Sequence, residues 1–359
     1  MRIVQSRIVC ELPPGADNPR NGEGDFLRLR DGRIVYAYSR YTGDDREDDC
    51  PCDIAAVFSD DGGERFGAPR ILVRAADHGV RNIMSVSFLR LRNGDAGLFY
   101  LVKDDKTGAS RYVLRRSTDE LQTLLPPVQC LPTEDTGLYY VVNNCRLLQT
   151  ADGRILIPAA VHRVGSDGAE YYARSEFFVS ADDGRTFRRC GETLRCPVPC
   201  ETGLQEPGLL ELSGGVLYAH FRTDLFCQYE SVSADGGAHW SQPQPSRFSS
   251  PESPMKLARN PYSGAVYAVW NPVPEYDGRN ADPSGEWITA GRTPLVMAES
   301  ADGVHFGEPV VLESDPDRGF CYPAVFFPDA HSMLLAYCSG GRADGACLCR
   351  TTIRRIIVQ

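Results

Sequence analysis

Short apolar runs recur along the whole chain, each closed by a small polar turn. Asp25-Phe26-Leu27-Arg28-Leu29 precedes Asp31-Gly32, and Ile34-Val35-Tyr36-Ala37-Tyr38 follows it. Arg146-Leu147-Leu148 and Ile155-Leu156-Ile157 flank Asp152-Gly153 in the same way. Gly208-Leu209-Leu210-Glu211-Leu212 and Val216-Leu217-Tyr218-Ala219-His220-Phe221 flank Gly214-Gly215. Asn93-Gly94, Ser263-Gly264 and Asp329-Ala330 mark three further turns. The runs are rich in β-branched and aromatic residues, and no stretch keeps a helical period. They predict an all-β chain of short antiparallel hairpins.

A second signal lies out of phase with the first. Ser-x-Asp-x-Gly-x-x-aromatic is spelled from Ser59 to Phe66, from Ser180 to Phe187 and from Ser233 to Trp240. The copy from Ser300 to Phe306 is one residue shorter, and Ser117-Thr118-Asp119-Glu120 is a decayed copy. Asp accepts backbone N–H bonds, Gly supplies positive φ and the aromatic packs between sheets, so the unit is a structural turn. Each period then holds four strands: a pair around the glycine turn, a longer loop, and a pair around the Asp turn. About 60 residues per period, six times over, accounts for the 359 residues. The predicted fold is a six-bladed β-propeller of four-stranded antiparallel blades, in one domain over 1–359. The last unit lacks a fourth strand after the run from Cys347 to Ile353. The N-terminal run from Arg2 to Val9 is expected to supply it, closing the ring and removing open edges.

In such a blade both short turns lie at one end. Residues that begin the first strand, end the second and begin the third therefore meet at the other end, around the axis. First-strand starts bring Arg20 and Glu23, Arg81 and Ser85, Asn143 and Asn144, Gln205 and Glu206, Glu252 and Ser253, Cys321 and Tyr322. Second-strand ends add Arg40, Lys103, His162, Arg222 and Asn271; third-strand starts add Asp53, Tyr172, Tyr229 and Arg292. The loop after Arg40 carries Asp44, Asp45, Asp48 and Asp49.

Charge changes this picture. With 48 acidic and 38 basic residues the formal net charge is −10, which argues against nonspecific nucleic-acid binding. Arginines nevertheless converge on one mouth. Several guanidinium forks without matched carboxylates point to an anionic ligand. No apolar run reaches the roughly 18 residues of a membrane helix. The N-terminus has no signal-peptide core, so a cytoplasmic protein without membrane partner is expected. Its 13 Cys then read as mostly reduced thiols. Only Cys196 and Cys200 have a zinc-ligand gap, and no second pair answers them, so neither metal nor cofactor is expected.

At these residues the sequence resembles the sialidase (neuraminidase) superfamily of Asp-box propellers, over essentially its full length. Gln205-Glu206-Pro207-Gly208 leading to Arg222, Gly291-Arg292-Thr293-Pro294-Leu295 before Ser300, and Cys321-Tyr322-Pro323 in the last unit match the family's order. The resemblance implies Tyr322 as nucleophile with Glu206 as its base. It implies an acid/base Asp in the loop between Arg40 and Asp53: Asp45 is preferred, with Asp44, Asp48 and Asp49 as alternatives. Arg222 and Arg292 would clamp a substrate carboxylate. Arg20, Arg40, Arg81 and Asn144 join them as binding residues. A neutral Tyr suits an anomeric carbon that carries a carboxylate, because an anionic nucleophile would be repelled.

Two features depart from the family pattern. Arg20, in Pro19-Arg20-Asn21-Gly22-Glu23, falls about two residues early for the clamp's remaining arginine. The Glu that often braces it is missing from Leu334-Leu335-Ala336-Tyr337-Cys338. The expected activity is a retaining exo-glycosidase acting on a terminal acidic sugar, sialic acid or a relative. The alternatives are a polysaccharide lyase using His162, a uronic-acid hydrolase, and an acidic-sugar-binding propeller without catalysis. Oligomeric state is left open.

Overall fold

The computed structural model describes residues 1–103, 110–132, 137–165, 168–273 and 288–359. They form β-strands with three short 3-10 segments and, among the described residues, no α-helix. Asn21–Arg28, Ile34–Tyr41, Cys52–Ser59 and Arg70–Val73 pair antiparallel in that order. Asn82–Arg90, Ala96–Lys103, Ser110–Ser117 and Val128–Gln129 repeat the pattern, and one parallel bridge from Cys52 to Asn82 joins the two sets. Next, Leu138–Val141 and Leu148–Gln149 both pair with Ile155–Gly165, which continues into Gly168–Ser180 and Arg188–Leu194. Gln205–Glu211, Leu217–Arg222, Cys227–Ser233 and Gln244–Ser249 make the following sheet. Lys256–Arg259, Val266–Trp270, Leu295–Ser300 and Val310–Glu313 make another. Finally Cys321–Phe326, Ser332–Cys338 and Thr351–Val358 take the N-terminal strand Ile3–Leu12 as their fourth member.

The inner strands are buried on both faces, which is why they read as continuous apolar runs rather than alternating ones. Ile34, Val35, Tyr36, Ala37 and Tyr38 are all buried. Each such side chain contributes roughly 1.5–3 kcal/mol of burial free energy. The core is a series of apolar layers between consecutive sets of strands. Val35 and Ile54 pack with Val86 and Leu98, Phe99 and Tyr112 with Ile157 and Phe178, and Leu156 and Phe177 with Leu209 and Phe221. Leu210 and Tyr218 pack with Leu257 and Val266, and Tyr267 and Met297 with Leu335 and Ile356. Leu334 and Ile353 then pack with Tyr36 and Phe26.

The Asp turns close one end of the strands. In the copy at Ser180, Asp182 Oδ1 accepts from Ser180 Oγ at 2.7 Å and from the Arg185 and Thr186 N–H groups at 3.1 and 2.9 Å. Ser180 Oγ itself accepts the Gly184 N–H at 2.8 Å. The decayed copy folds the same way: Ser117 Oγ donates to Asp119 at 2.8 Å and accepts the Leu121 N–H at 2.8 Å. There Leu121 takes the positive φ, 68°, that Gly supplies elsewhere. The turn aromatics pack inward, as Trp240 does in stacking on Phe177 at 4.3 Å.

Candidate active site

Strand register runs the Asp turns and the opposite ends apart. Gln205 pairs with Arg222 at one end of its hairpin, whereas Leu217 pairs with Ser233 at the other. At the Gln205 end the first strands bulge. Register slips between Asn21 and Gly24, Met84 and Ser87, Gln205 and Gly208, and Cys321 and Ala324. Ser85, Cys145, Glu206 and Tyr322 sit at or beside these first-strand starts with φ between 47° and 60°. Such angles cost a non-glycine residue of order 1–3 kcal/mol, and bulges re-aim side chains. Glu206 and Tyr322 are each followed by proline, which has no N–H and loses nothing where the ladder is broken.

A cavity of about 490 Å³ opens at this end. Tyr322, Glu206, Glu23 and Asn143 line it together with Arg20 and Arg81. Asp48, Asp49, Lys103 and Tyr139 line its rim side. The Tyr322 hydroxyl donates to Glu206 Oε1 at 2.7 Å. The same oxygen forms an ion pair with Arg222 Nη1 at 2.8 Å and accepts from Asn143 Nδ2 at 3.2 Å, while Oε2 has no hydrogen-bond partner among the described residues. Burial pushes the Glu206 carboxyl up, but Arg222, the Tyr322 hydroxyl, Arg292 and Arg146 outweigh it and hold it below its ordinary value. Burial, and then the Glu206 charge, push the Tyr322 hydroxyl well above its ordinary value. The pair therefore rests as a carboxylate holding a neutral phenol.

Arg292 is buried with its guanidinium 5.4 Å from the Tyr322 ring. It donates to Cys321 Sγ at 3.4 Å and to the Glu252 carbonyl at 3.2 Å. Arg222 also pairs with the Glu252 carboxylate, which accepts from the Tyr171 hydroxyl. Arg20 reaches across the Tyr41 ring, 4.3 Å from its centroid, to Asp48 at 2.6 Å and the Arg46 carbonyl at 3.0 Å. The Nε atoms of Arg20, Arg222 and Arg292 have no hydrogen-bond partner among the described residues.

Five of the expected site residues do not line the cavity: Arg222 pairs with Glu206 and Arg292 lies beside the Tyr322 ring, outside the lining, while Asp45, Arg40 and Asn144 lie elsewhere. Asp45 is exposed, its Oδ1 accepts the Arg46 N–H at 2.6 Å, and it does not line the cavity. Asp48 and Asp49 do, with Asp48 paired to Arg20 at 2.6 Å. Desolvation pushes Asp48 up, but Arg20 and Lys103 outweigh it and bring it down to about 2. Arg40 lines a separate cleft with Tyr38 and Arg70. Alternation along its strand turns the neighbouring Tyr41 the other way, into the core beneath Arg20. Asn144 is a brace: its Nδ2 donates to the Gly24 carbonyl at 2.9 Å and the Tyr322 carbonyl at 3.3 Å. Its neighbour Asn143 faces the cavity.

Sequence reasoning passed over Arg146, although a lone charge opening an apolar strand was visible. Arg146 is buried behind Glu206 and donates to the Met255 carbonyl at 2.6 Å. Burial, then Arg146 and Lys256, push the adjacent His220 well below its ordinary value, so its imidazole is neutral. His162, on the strand Ile155–Gly165, donates from Nδ1 to the Glu170 carbonyl at 2.8 Å and lies beside the Tyr139 ring.

The BNR repeat-like domain family matches residues 21–331. The chain belongs to that family. No curated protein sequence matches it. Among solved structures it is similar to a protein of unknown function from Dyadobacter fermentans, with 16% identity, a TM-score of 0.72 and 99% of each chain covered. It is similar to the NanB sialidase of Streptococcus pneumoniae, with 12% identity, a TM-score of 0.68, and coverage of 98% of this chain and 70% of that one. A leech intramolecular trans-sialidase, solved with 2,7-anhydro-Neu5Ac, has 12% identity, a TM-score of 0.71 and coverage of 98% and 70%. These likenesses establish a sialidase-like β-propeller fold.

Proposed function

We propose that this chain is a single, closed six-bladed propeller that hydrolyses the glycosidic bond of a terminal acidic sugar with retention. The observation that carries the reading is the 2.7 Å hydrogen bond from the Tyr322 hydroxyl to an ionised Glu206 on a cavity wall. The apolar layers, the last of which joins Leu334 and Ile353 to Tyr36, support the closed ring.

In the first step the Tyr322 oxygen bonds to the anomeric carbon as the bond to the leaving oxygen breaks. The phenol proton passes to Glu206. The leaving oxygen takes a proton from a loop carboxyl, and Asp49 fills this role because Asp48 is committed to Arg20. In the second step Asp49 takes a proton from water, whose oxygen displaces Tyr322, and Glu206 returns the phenol proton. Two displacements at one carbon restore its configuration, and one water is consumed. Arg20 on the cavity wall, with Arg222 paired to Glu206 and Arg292 beside the Tyr322 ring, supplies the positive charge that would hold a substrate carboxylate.

Aryl glycosides of sialic and uronic acids test the activity. Turnover of one of them by the wild-type chain, and none by Tyr322→Phe with the fold intact, is the expected result. Turnover undiminished in Tyr322→Phe removes the nucleophile assignment. A product absorbing in the ultraviolet as an unsaturated uronate would make the enzyme a lyase.

A further inference from the structure

We propose that Glu23 contacts the substrate directly, donating a hydrogen bond from its carboxyl to an oxygen of the bound acidic sugar. This deepens the reading above and rests on the cavity's taking an acidic sugar.

Glu23 lies in the bulge between Asn21 and Gly24, on the strand Asn21–Arg28. Gly24 fixes its direction: a Cβ there would fall 2.1 Å from the Ala37 carbonyl oxygen, so only glycine lets the strands approach this closely. Glu23 is 3% exposed and shares the cavity wall with Glu206 and Tyr322. Its side-chain contacts to other residues are long. Oε1 stands 3.4 Å from Ser39 Oγ and 3.5 Å from Ser85 Oγ, and Oε2 is 3.7 Å from Arg20. Both hydroxyls donate to Oε1 at the long limit, and Ser39 Oγ also accepts the Ser85 N–H at 3.1 Å.

The contrast with a structural carboxylate on the same strand is instructive. Asp25 takes the Phe26 and Phe88 N–H groups at 2.7 and 2.8 Å. Arg20 is already served by Asp48 at 2.6 Å. A brace for Arg20 does not require Glu23, and a buried carboxyl left at such distances has capacity for a ligand.

Charge selects the form. The charged groups that act on Glu23 are Arg20, Asp48 and Glu206, and its own charge is felt by Tyr36, Tyr41 and Cys52. Burial pushes the Glu23 carboxyl up; Arg20 and a hydrogen bond from its own backbone N–H oppose, while Asp48 and Glu206 add to the rise, and the net shift is upward. Glu206 is held ionised in the same cavity. A second carboxylate would repel an anionic sugar, whereas the neutral acid donates to it. Affinity for an acidic sugar should therefore fall as pH rises through the Glu23 titration.

Calorimetric titration of the full chain with N-acetylneuraminate and with glucuronate, and with galactose as neutral control, tests this across pH. Wild type, Glu23→Gln and Glu23→Ala are compared, with melting temperatures as a folding check. The amide keeps a donor without titrating. Glu23→Gln should match wild type in acid and lose less affinity as pH rises. Glu23→Ala should bind the acidic probe about tenfold more weakly or worse at the acid end, with galactose unaffected. Superimposable pH slopes for wild type and Glu23→Gln, or undiminished binding by Glu23→Ala, overturn the proposal. Glu23-dependent binding without turnover of any aryl glycoside sinks the hydrolase reading alone. Turnover with no Glu23 dependence sinks this inference alone. If no acidic probe binds at any pH, both fall.

Discussion

The two ends of the strands are built on opposite principles. At the Asp turns, short local bonds satisfy the polar groups: Asp182 serves Ser180, Arg185 and Thr186 within a few residues. At the cavity end, polar groups come from different sheets and remain partly unserved. Glu206 Oε2, Asn143 Oδ1 and the Nε atoms of Arg20, Arg222 and Arg292 lack partners among the described residues. Strain follows the same division. Glycines take most of the positive φ values at the turns, whereas Glu206 and Tyr322 take them at the cavity. The difference teaches where each end's chemistry is spent: the turns stabilise the hairpins, and the cavity gives up some stability to aim side chains at a ligand.

Substitutions at the two ends should separate these roles. Glu206→Gln should show the largest effect, lowering kcat by about 10²- to 10⁴-fold while the melting temperature changes little. A kcat near wild type would remove Glu206 as the base. Asp49→Asn should lower kcat by about 10²-fold, with Asp45→Asn near wild type in the same assay. The reverse ranking would return the proton donor to Asp45. At the other end, Asp182→Ala should cost about 1–2 kcal/mol in denaturant unfolding, with activity per folded molecule unchanged. Lost activity there would mean that the ends are coupled.

The smallest effect is a pH dependence. Slight burial pushes Asp182 up, but bonds from Thr186, Ser180 and Arg185 outweigh it and bring it down to about 2. A carboxyl depressed in the folded state stabilises at pH above its unfolded value, near 3.9. That contribution fades as pH falls through the folded value. The melting-temperature gap between wild type and Asp182→Asn should be constant above about pH 5 and close toward pH 2. A gap independent of pH would assign the Asp182 contribution to packing.

The turns were legible because their chemistry is local. The copy at Ser117 shows how far this extends, since its Ser and Asp keep the hydrogen bonds even with Leu121 in the glycine position. The cavity was legible only in part. Glu206, Tyr322, Arg20 and Arg81 line it, as the ends of their strands suggested. Arg40 and Asp45 do not, because one residue of alternation or one loop reversal moves a side chain to another surface. Asn143 and Asn144 are neighbours with opposite tasks, and the local bend that separates them leaves no mark in their spacing.

The sequence by itself determined the all-β character, the repeated turns and the set of residues carried to one end. Those properties depend on periodicity and on bonds spanning a few positions. Only the tertiary structure decided which of those residues share a cavity, which Asp faces it, and that Glu23 stands beside Glu206 with Arg20 turned to Asp48. These choices depend on bulges and on ion pairs between distant segments, and their energies come from contacts that no local pattern encodes.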